Sequence, residues 1–203
     1  MHLDAQSTCD LGRVSYAEGL KIQLDYARRR EAGEIGDTLL LLEHPPVYTL
    51  GTNADPSFLL DAKAPVVQTD RGGEVTWHGP GQVVGYAICN LDARNRDLHR
   101  HCRDLEEVLI RTLKDCGIAA ARIDGLTGVW TNGKKIGAIG VRVRQWISTH
   151  GFSLNVNCDL SYYDGIVPCG IEGCEVTTIE RETGTTPDVR PHLAKHFAEV
   201  FGA

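Results

Sequence analysis

The stretch from residue 71 to residue 86 combines side chains that can do chemistry with an unusually permissive backbone. Its sequence is RGGEVTWHGPGQVVGY, in which an arginine, a histidine and a glutamine are spaced among five glycines. Glycine permits positive φ angles and lets another molecule approach the main chain closely. We therefore predict a glycine-hinged loop that holds an extended ligand along its backbone N–H and C=O groups. An ordinary β-hairpin corner would explain the glycines equally well, and no phosphate-loop motif is present.

Cysteine supplies the candidate nucleophiles. The seven cysteines are odd in number and irregularly spaced, which does not indicate a disulfide framework. No C-x-x-C pair occurs, and Cys169 and Cys174 have no matching histidine pair, so we predict no metal site. Cys169 lies between Pro168 and Gly170 in a segment without periodicity, so its side chain need not be part of the core. A structural role is the more common one for a lone cysteine, and Cys174 is nearly as good a candidate as Cys169.

The order of residues in the glycine-rich stretch is more specific than its composition. The pattern R-G-G-x-x-T-W-H-G-x-G-Q over residues 71–82 resembles the signature of the octanoyltransferases of lipoate biosynthesis. Three further stretches agree with that family and occur in its order: EHPPVYTLG at 43–51, GKKIGAIGVR at 133–142 and PCGI at 168–171. The resemblance covers most of the chain and implies that the protein is an acyltransferase.

The resemblance selects two catalytic residues. The P-C-G-I pattern implies that Cys169 is the nucleophile, and the pattern G-x-K-[IL]-x-[AS]-[IL]-G implies that its partner is Lys135 rather than Lys134. An ammonium group beside a thiol favours the reactive thiolate. The fold would have to bring these two residues together across a sheet.

The resemblance also implies a set of substrate-binding residues. These are Arg71, Gly72, Gly73, Glu74, Val75, Thr76, Trp77, His78, Ala138, Ile139, Gly140, Gly151, Phe152 and Ser153. We expect Gly140 and Gly151 to leave room for an acyl chain against a strand, because a Cβ atom would fill that space. Backbone N–H groups near Gly140 or Gly170 would polarise the carbonyl. Among three histidines in family-like stretches, His78 is expected to touch substrate, whereas the roles of His44 and His150 stay open.

The implied reaction moves an octanoyl group from octanoyl-acyl carrier protein, through a thioester on Cys169, to an acceptor lysine. The implied acceptors are the lipoyl domains of 2-oxoacid dehydrogenase E2 subunits and the glycine cleavage H protein. Exchange of one thioester for another followed by amide formation needs no ATP, metal or other cofactor. The chain departs mildly from the family at residues 176–179, which read VTTI where V-T-S-L is more usual, and in carrying Cys174.

The composition limits which partners and which cellular compartment the sequence is compatible with. The net charge of −6 argues against nucleic acid as a partner and requires an acidic carrier protein to dock on a local basic patch. Candidate patches are residues 28–30, residues 134–135 and the pair Arg142 and Arg144. No apolar run approaches the roughly 20 residues that span a bilayer, and residues 1–4 lack the order of a signal peptide. We expect a cytoplasmic protein with no membrane partner and one catalytic domain over residues 1–203.

Hydrophobic periodicity predicts the elements that position these residues. A capping box at Ser15 precedes a helix with Tyr16, Leu20, Leu24 and Ala27 on one face. A second helix spans 98–116, and a third begins near Pro187 or Pro191. Predicted strands or extended segments lie at 38–42, 47–50, 66–67, 82–88, 119–123, 128–131, 136–142 and 147–155, with a type I′ turn at Asn132-Gly133 and an irregular segment at 161–174.

This mixture of hairpins and helices fits an α+β fold, because only a few strands are followed by helices. The resemblance implies a mixed sheet flanked by helices, as in biotin and lipoate protein ligases. An ATP-dependent ligase is one alternative function, but the G-R-G-R-x-G-R-x-W and R-R-x-x-G-G-G stretches of those ligases are absent. A non-catalytic acyl-binding or carrier-binding module is another, and the presence of Cys169 argues against it.

Overall fold

The computed structural model describes residues 7–52 and 54–202, so residues 1–4, considered above for a signal peptide, lie outside it. The strands in the described part are β1 (Ser7–Arg13), β2 (Thr38–Glu43), β3 (Val47–Leu50), β4 (Val66–Gln68), β5 (Thr76–His78), β6 (Gln82–Ile88), β7 (Val129–Thr131), β8 (Lys134–Arg144) and β9 (Ile147–Asn155). The α-helices there are α1 (Tyr16–Glu31), α2 (Leu98–Asp115), α3 (Ile179–Thr183) and α4 (Arg190–Phe201). None of the helices in residues 7–52 and 54–202 has both the length and the apolar character needed to cross a membrane.

Two sheets organise the molecule. The larger has six strands in the order β1-β2-β6-β9-β8-β7, in which only the β1–β2 pair is parallel. The smaller has the order β4-β3-β5 and pairs β3 with β4 in parallel and with β5 antiparallel. This is the predicted α+β architecture built on a mixed sheet.

Helices cover both faces of the larger sheet, which explains the run of leucines in β2. Leu39 and Leu41 join a core cluster with residues of α2 and α4. Leu40 and Leu42 point to the opposite face, where they join a cluster that α1 covers. A strand covered on both sides has no polar face, as the sequence of residues 38–42 predicted.

Helix α1 begins at the predicted capping box, in which Ser15 and Glu18 exchange side-chain and backbone hydrogen bonds. Its predicted buried face is partly wrong, because Leu24 is 55% exposed. The helix buries Tyr16 as predicted, together with Gly19 and Gln23. A Cβ atom on Gly19 would lie 3.0 Å from the His44 ring, so the missing side chain lets the helix lie close against the sheet.

Helix α2 and the hairpin after it follow the prediction closely. Asp97 caps the helix through the Arg100 N–H, and Gly117 takes a left-handed conformation behind its last turn. Asn132 and Gly133 both have positive φ, as a type I′ turn requires, and they join β7 to β8.

Other elements depend on context that local sequence does not carry. The predicted extended segment at 119–123 contains only an isolated bridge between Ala121 and Trp130, so that assignment was wrong. Strand β1 was not predicted, because its largely exposed, polar residues lack a clear period and depend on parallel pairing with β2. Strand β5 and the five-residue helix α3 were missed for a related reason, since each is too short to show periodicity.

Candidate active site

Cys169 sits in a tight 3₁₀ turn formed by Pro168–Gly170. The proline starts the turn, and Cys169 itself takes a left-handed conformation with φ 55° and ψ 22°, which is uncommon for a residue with a Cβ atom. Its N–H donates to the Val75 carbonyl at 3.3 Å, which ties the turn to the glycine-rich stretch. A Cβ atom on Gly170 would lie 2.9 Å from the Phe58 ring, so glycine is needed for this packing.

Lys135 is held in place at the start of β8. Its N–H donates to the Glu175 carbonyl at 2.8 Å, and its own carbonyl accepts from the Thr177 N–H at 2.9 Å. This short parallel bridge carries the segment after Cys169 alongside β8. Lys135 is only 4% exposed, whereas its neighbour Lys134 pairs at the surface with Glu175.

The fold brings the Lys135 ammonium to the Cys169 thiol. Lys135 Nζ lies 2.9 Å from Cys169 Sγ and 3.2 Å from the Thr127 carbonyl oxygen. It also stands over the Trp130 ring, 5.0 Å from the ring centre, where an ammonium is favourably placed. A thiol in contact with an ammonium is the arrangement that activates a cysteine for attack on a carbonyl.

Lys135 and Cys169 both line a cavity of about 260 Å³, a volume just below the roughly 300–1,000 Å³ typical of small-molecule sites. Eleven of the predicted substrate residues line it: Arg71, Gly73, Glu74, Thr76, His78, Ala138, Ile139, Gly140, Gly151, Phe152 and Ser153. The aliphatic and aromatic side chains among the lining residues suit an apolar chain. Whether these residues bind substrate stays a prediction.

Three of the predicted substrate residues lie outside the cavity lining. Val75 and Trp77 alternate with Thr76 and therefore point to the opposite face, where both join the core of the smaller sheet. Gly72 uses its N–H to bond the Val141 carbonyl at 2.9 Å, which fastens the glycine-rich stretch to β8.

The two glycines expected to leave room for an acyl chain make room for protein atoms instead. A Cβ atom on Gly151 would lie 2.4 Å from the Gly85 carbonyl oxygen. A Cβ atom on Gly140 would lie 3.1 Å from the Gly72 carbonyl oxygen. The predicted reason for these glycines is therefore wrong, although both line the cavity.

The expected carbonyl-polarising role of Gly170 is not supported. Its N–H already donates to the Val167 carbonyl at 3.1 Å, and the Cys169 N–H is engaged by Val75. A backbone donor near Gly140 stays a prediction.

Arg71 is buried in the cavity wall and serves as a structural clamp. Its guanidinium donates to the Thr49 carbonyl at 2.6 Å, to the Thr49 hydroxyl and to the Gly72 carbonyl at 3.0 Å. Burial lowers the pKa of Arg71, yet arginine stays protonated in proteins. These acceptors are all neutral groups, so the guanidinium adds a positive potential to the cavity wall beside Cys169.

The histidines of the site are neutral near pH 7. Burial, and then the neighbouring His44, lower the pKa of His78 to about 3. Burial, and then the Arg71 charge, lower the pKa of His150 to about 3 as well. His44 accepts from the Tyr86 hydroxyl at 2.7 Å, and burial lowers its pKa also.

Only two of these histidines line the cavity, and sequence reasoning left one of them without a role. His78 and His150 face the cavity, whereas His44 stands behind Tyr86. His150 donates from Nε2 to Asp70 at 2.9 Å, which orients its ring. Its place in a family-like stretch beside Gly151 was the signal that could have assigned it.

Further lining residues were not among the predicted substrate residues. Val84, Tyr86 and Ile171 come from the stretches that the sequence singled out, whereas Tyr16, Gly125, Leu126 and Thr127 come from parts of the chain that the sequence did not connect with the site. Tyr16 belongs to α1, and residues 125–127 belong to the loop between α2 and β7. No periodic pattern marks Tyr16 or residues 125–127 as site residues, because only the packing of α1 and the path of that loop bring them to Cys169.

Cys174 differs from Cys169 in its surroundings. It lies outside the lining of the cavity, and its thiol approaches the Glu175 carbonyl at 3.7 Å. Burial raises its pKa, which disfavours the thiolate. In the described part of the chain no group of three or more histidine, cysteine, aspartate or glutamate residues is arranged to hold a metal ion.

Comparison with known proteins shows the family of the chain. Residues 15–198 match the family model described as the lipoyl protein ligase A/B catalytic domain. An octanoyltransferase of Geobacter sulfurreducens is 49% identical over 192 residues, covering 93% of this chain and 82% of that relative.

Solved structures share the fold at low sequence identity. A structure described as a bi-partite lipoate protein ligase and its E2 lipoyl domain, from Thermoplasma acidophilum, has a TM-score of 0.73 at 16% identity and covers 99% of this chain and 85% of that chain. A biotin protein ligase of Aquifex aeolicus has a TM-score of 0.56 at 15% identity and covers 98% of this chain and 70% of that chain. These likenesses confirm the fold predicted from the sequence. The family match and the identity to the curated relative go further, and the chain belongs to the octanoyltransferases, acyltransferases of the lipoyl protein ligase A/B catalytic-domain family.

Proposed function

We propose that this protein transfers an octanoyl group from octanoyl-acyl carrier protein to a lysine of lipoyl-accepting domains, in the biosynthesis of protein-bound lipoate. The observation that carries the proposal is the 2.9 Å contact between Lys135 Nζ and Cys169 Sγ in the lining of the cavity. Its family membership and the name of its relative, an octanoyltransferase, support the choice of acyl group.

In the first half-reaction the Cys169 thiolate attacks the thioester carbonyl of the donor. A new C–S bond forms, the old C–S bond breaks, and the carrier thiolate leaves and takes up a proton. The Lys135 ammonium stabilises the attacking thiolate. The product is an octanoyl thioester on Cys169, and the exchange costs little free energy because one thioester replaces another.

In the second half-reaction the amine of the acceptor lysine attacks this thioester. A C–N bond forms, the bond to Cys169 Sγ breaks, and the amine nitrogen must lose a proton. Once Cys169 is acylated its negative charge is gone, so Lys135 can release its proton to the departing carrier thiolate and then accept the proton from the amine. Amide formation is downhill and needs no ATP.

The cavity supplies the place for the acyl chain. Ile139, Phe152 and Val84 give it apolar surface, and its histidines are neutral, so no charge faces the hydrocarbon from those rings. Arg71 lies in the same wall and braces the glycine-rich stretch through Thr49. The binding roles of the eleven predicted lining residues are part of this proposal.

The proposed acceptors are the lipoyl domains of 2-oxoacid dehydrogenase E2 subunits and the glycine cleavage H protein. The likeness to a lipoate protein ligase described together with an E2 lipoyl domain supports acceptors of that kind. We take residues 1–203 as one catalytic domain. A cytoplasmic location belongs to the proposal, because all seven cysteines are free and thiols stay reduced in the cytosol.

Intact-mass spectrometry after mixing with octanoyl-acyl carrier protein tests the proposal. The wild-type protein is expected to gain one octanoyl group, and Cys169→Ser is expected to lose nearly all transfer to a lipoyl domain. Cys174→Ser is the matched control and should behave like the wild type, because Cys174 lies outside the cavity lining. An active Cys169→Ser beside an inactive Cys174→Ser would show that the wrong thiol has been chosen.

The same assay separates the alternative functions. Transfer should be unchanged by EDTA and by ATP. Product formed from free octanoate only when ATP and Mg²⁺ are added would indicate a ligase instead. Tight binding of the octanoyl carrier protein with no acylation of any cysteine would indicate a binding module.

A further inference from the structure

We propose that Glu106, a buried carboxylate in α2, is a positioning residue that holds the Lys135 ammonium at Cys169. It acts through a single peptide group, the one between Thr127 and Gly128. Neither the motifs nor the cavity lining includes Glu106. The kinetic part of this inference rests on the proposed function.

Glu106 and Lys135 bind opposite ends of the peptide group between Thr127 and Gly128. The Gly128 N–H donates to Glu106 Oε1 at 2.8 Å. The Thr127 carbonyl, on the other side of the same peptide bond, accepts from Lys135 Nζ at 3.2 Å. Because a peptide group is planar, fixing its N–H direction also fixes the direction of its carbonyl oxygen. Glu106 therefore sets where the carbonyl that receives Lys135 points.

The same peptide packs tightly against the lysine side chain. Gly128 has φ +131°, and a Cβ atom there would lie 2.7 Å from Lys135 Cε and 2.8 Å from the Gly137 carbonyl oxygen. A rotation of this peptide would thus move the lysine stem as well as its ammonium. The neighbouring residues 125–127 line the cavity, so the fastening also holds one of its walls.

Charge balance explains how a carboxylate is tolerated there. Glu106 is fully buried, and its second oxygen accepts from Arg103 at 2.8 Å and from Arg122 at 3.0 Å. A buried carboxylate is costly unless it is paired and hydrogen-bonded, and here donors surround it. A carboxylate bonded to the N–H also polarises the peptide, which strengthens its carbonyl as the acceptor for an ammonium.

The hydrogen-bond partners of the Glu106 carboxylate are all donors, so Glu106→Gln tests its role directly. Glutamine has the same shape but only one acceptor oxygen, so it cannot satisfy both Gly128 and the two arginines. Glu107 offers a matched control, because it accepts from Arg122 at 2.9 Å and from Arg111, whereas the Gly128 N–H donates to Glu106 and not to Glu107. Glu107→Gln therefore disturbs the same arginine and leaves the peptide alone.

Two measurements on the full-length variants test the proposal. The first is the pH profile of Cys169 alkylation by iodoacetamide, followed by mass spectrometry. The second is the single-turnover rate of each half-reaction. Glu106→Gln is expected to move the alkylation profile to higher pH, because a displaced ammonium stabilises the thiolate less. It should also slow acyl transfer by about 10- to 100-fold, the order seen when a reacting group is misplaced by about 1 Å.

Glu107→Gln should match the wild type in both measurements. Wild-type rates and profile in Glu106→Gln would overturn the proposal, and so would a lower melting temperature with an unchanged alkylation profile. If Glu106→Gln fails to fold, Glu106→Asp replaces it, since it keeps the charge but withdraws from Gly128. Wild-type behaviour of that variant would equally overturn the proposal. Alkylation involves no octanoyl group. A shifted alkylation profile in Glu106→Gln, together with no octanoyl transfer by the wild type, would therefore contradict the proposed function but not the role of Glu106.

Discussion

Lys135 has two chemical roles available to it beside Cys169. One is electrostatic, in which its positive charge holds the thiolate. The other is proton transfer, in which it accepts a proton from the acceptor amine after acylation has removed the thiolate charge. The 2.9 Å contact with Cys169 Sγ serves the first role, and the position of the side chain at the cavity, where the acceptor amine would arrive, serves the second.

Replacement of Lys135 by arginine separates the two roles, because arginine keeps its charge but does not release a proton in proteins. We expect Lys135→Arg to take up octanoyl on Cys169 and to pass it to the acceptor roughly 100-fold more slowly, or worse, as for the loss of a general base. Lys135→Ala should be impaired in both half-reactions. Single-turnover mass spectrometry measures each half-reaction.

Lys134→Arg provides the control for this series. Lys134 pairs with Glu175 at the surface, next to Lys135 in the chain, and is expected to tolerate arginine without effect. Acceptor transfer at the wild-type rate by Lys135→Arg would eliminate the proton-transfer role and leave the electrostatic one.

The packing of α2 on α4 contains a histidine that works against stability in acid. His101 is 1% exposed, its ring meets Phe201 edge-on, and neither ring nitrogen has a partner in the described part of the chain. Burial, and then the nearby Arg94 charge, lower the pKa of His101 from 6.5 to about 4. The unfolded chain therefore binds a proton here at a higher pH than the folded protein does.

Replacement of this histidine should flatten the pH dependence of stability. Below a pH of about 6.5 the unfolded state is favoured by protonation, so stability present above that pH is lost as the pH falls toward about 4. Between about pH 7.5 and about pH 5, we expect the unfolding free energy of His101→Leu to fall by about 2 kcal/mol less than that of the wild type. Urea unfolding at the two pH values measures it.

His99, on the same helix, is the matched control. Its side chain is exposed, so His99→Gln is expected to leave the pH dependence as in the wild type. If His101→Leu and the wild type lose equal amounts of unfolding free energy between the two pH values, His101 must be accessible to solvent in the folded protein.

Charge at the level of the whole molecule bears on how the proposed donor, an acidic carrier protein, would dock. The net charge is −6, and the structure changes the predicted basic patches. Lys135 is buried and cannot serve as docking surface, which corrects one of them. Arg142 pairs with Asp70, whereas Arg144 at the end of β8 is exposed. Arg28 pairs with Asp25 at the exposed end of α1.

Association with an acidic carrier protein is expected to weaken as salt rises, since local positive charge must attract it against the overall charge. The decrease should occur while the Debye length falls from ~10 Å at about 0.1 M salt to ~3 Å at about 1 M. Titration calorimetry or fluorescence anisotropy over that range measures the binding constant. Arg144→Gln should reduce the salt dependence if Arg144 contributes, and a constant that is flat in salt would indicate an apolar interface.

The amino-acid order by itself determined the family and most of the elements, and it selected Cys169 as the candidate nucleophile. Cys169 was preferred to Cys174 only because P-C-G-I matched a family pattern, and the structure then placed Cys169 against the cavity and Cys174 outside its lining. Helix α2 and the Asn132-Gly133 turn were predictable because their signals, a cap, a period and a turn dipeptide, lie within a few neighbouring residues.

Tertiary structure decided the contacts between residues that are far apart in the chain. Lys135 and Cys169 are separated by 34 positions, and the Glu106 carboxylate reaches Gly128 across 22. Such contacts depend on strand register and on the path of the loop between α2 and β7, which no local pattern encodes. The reason for Gly151 was mistaken on the same ground, since the atom that fills its missing side-chain space belongs to Gly85 on another strand. Local signals follow from the conformational preferences of neighbouring residues, whereas the site follows from which distant surfaces pack together.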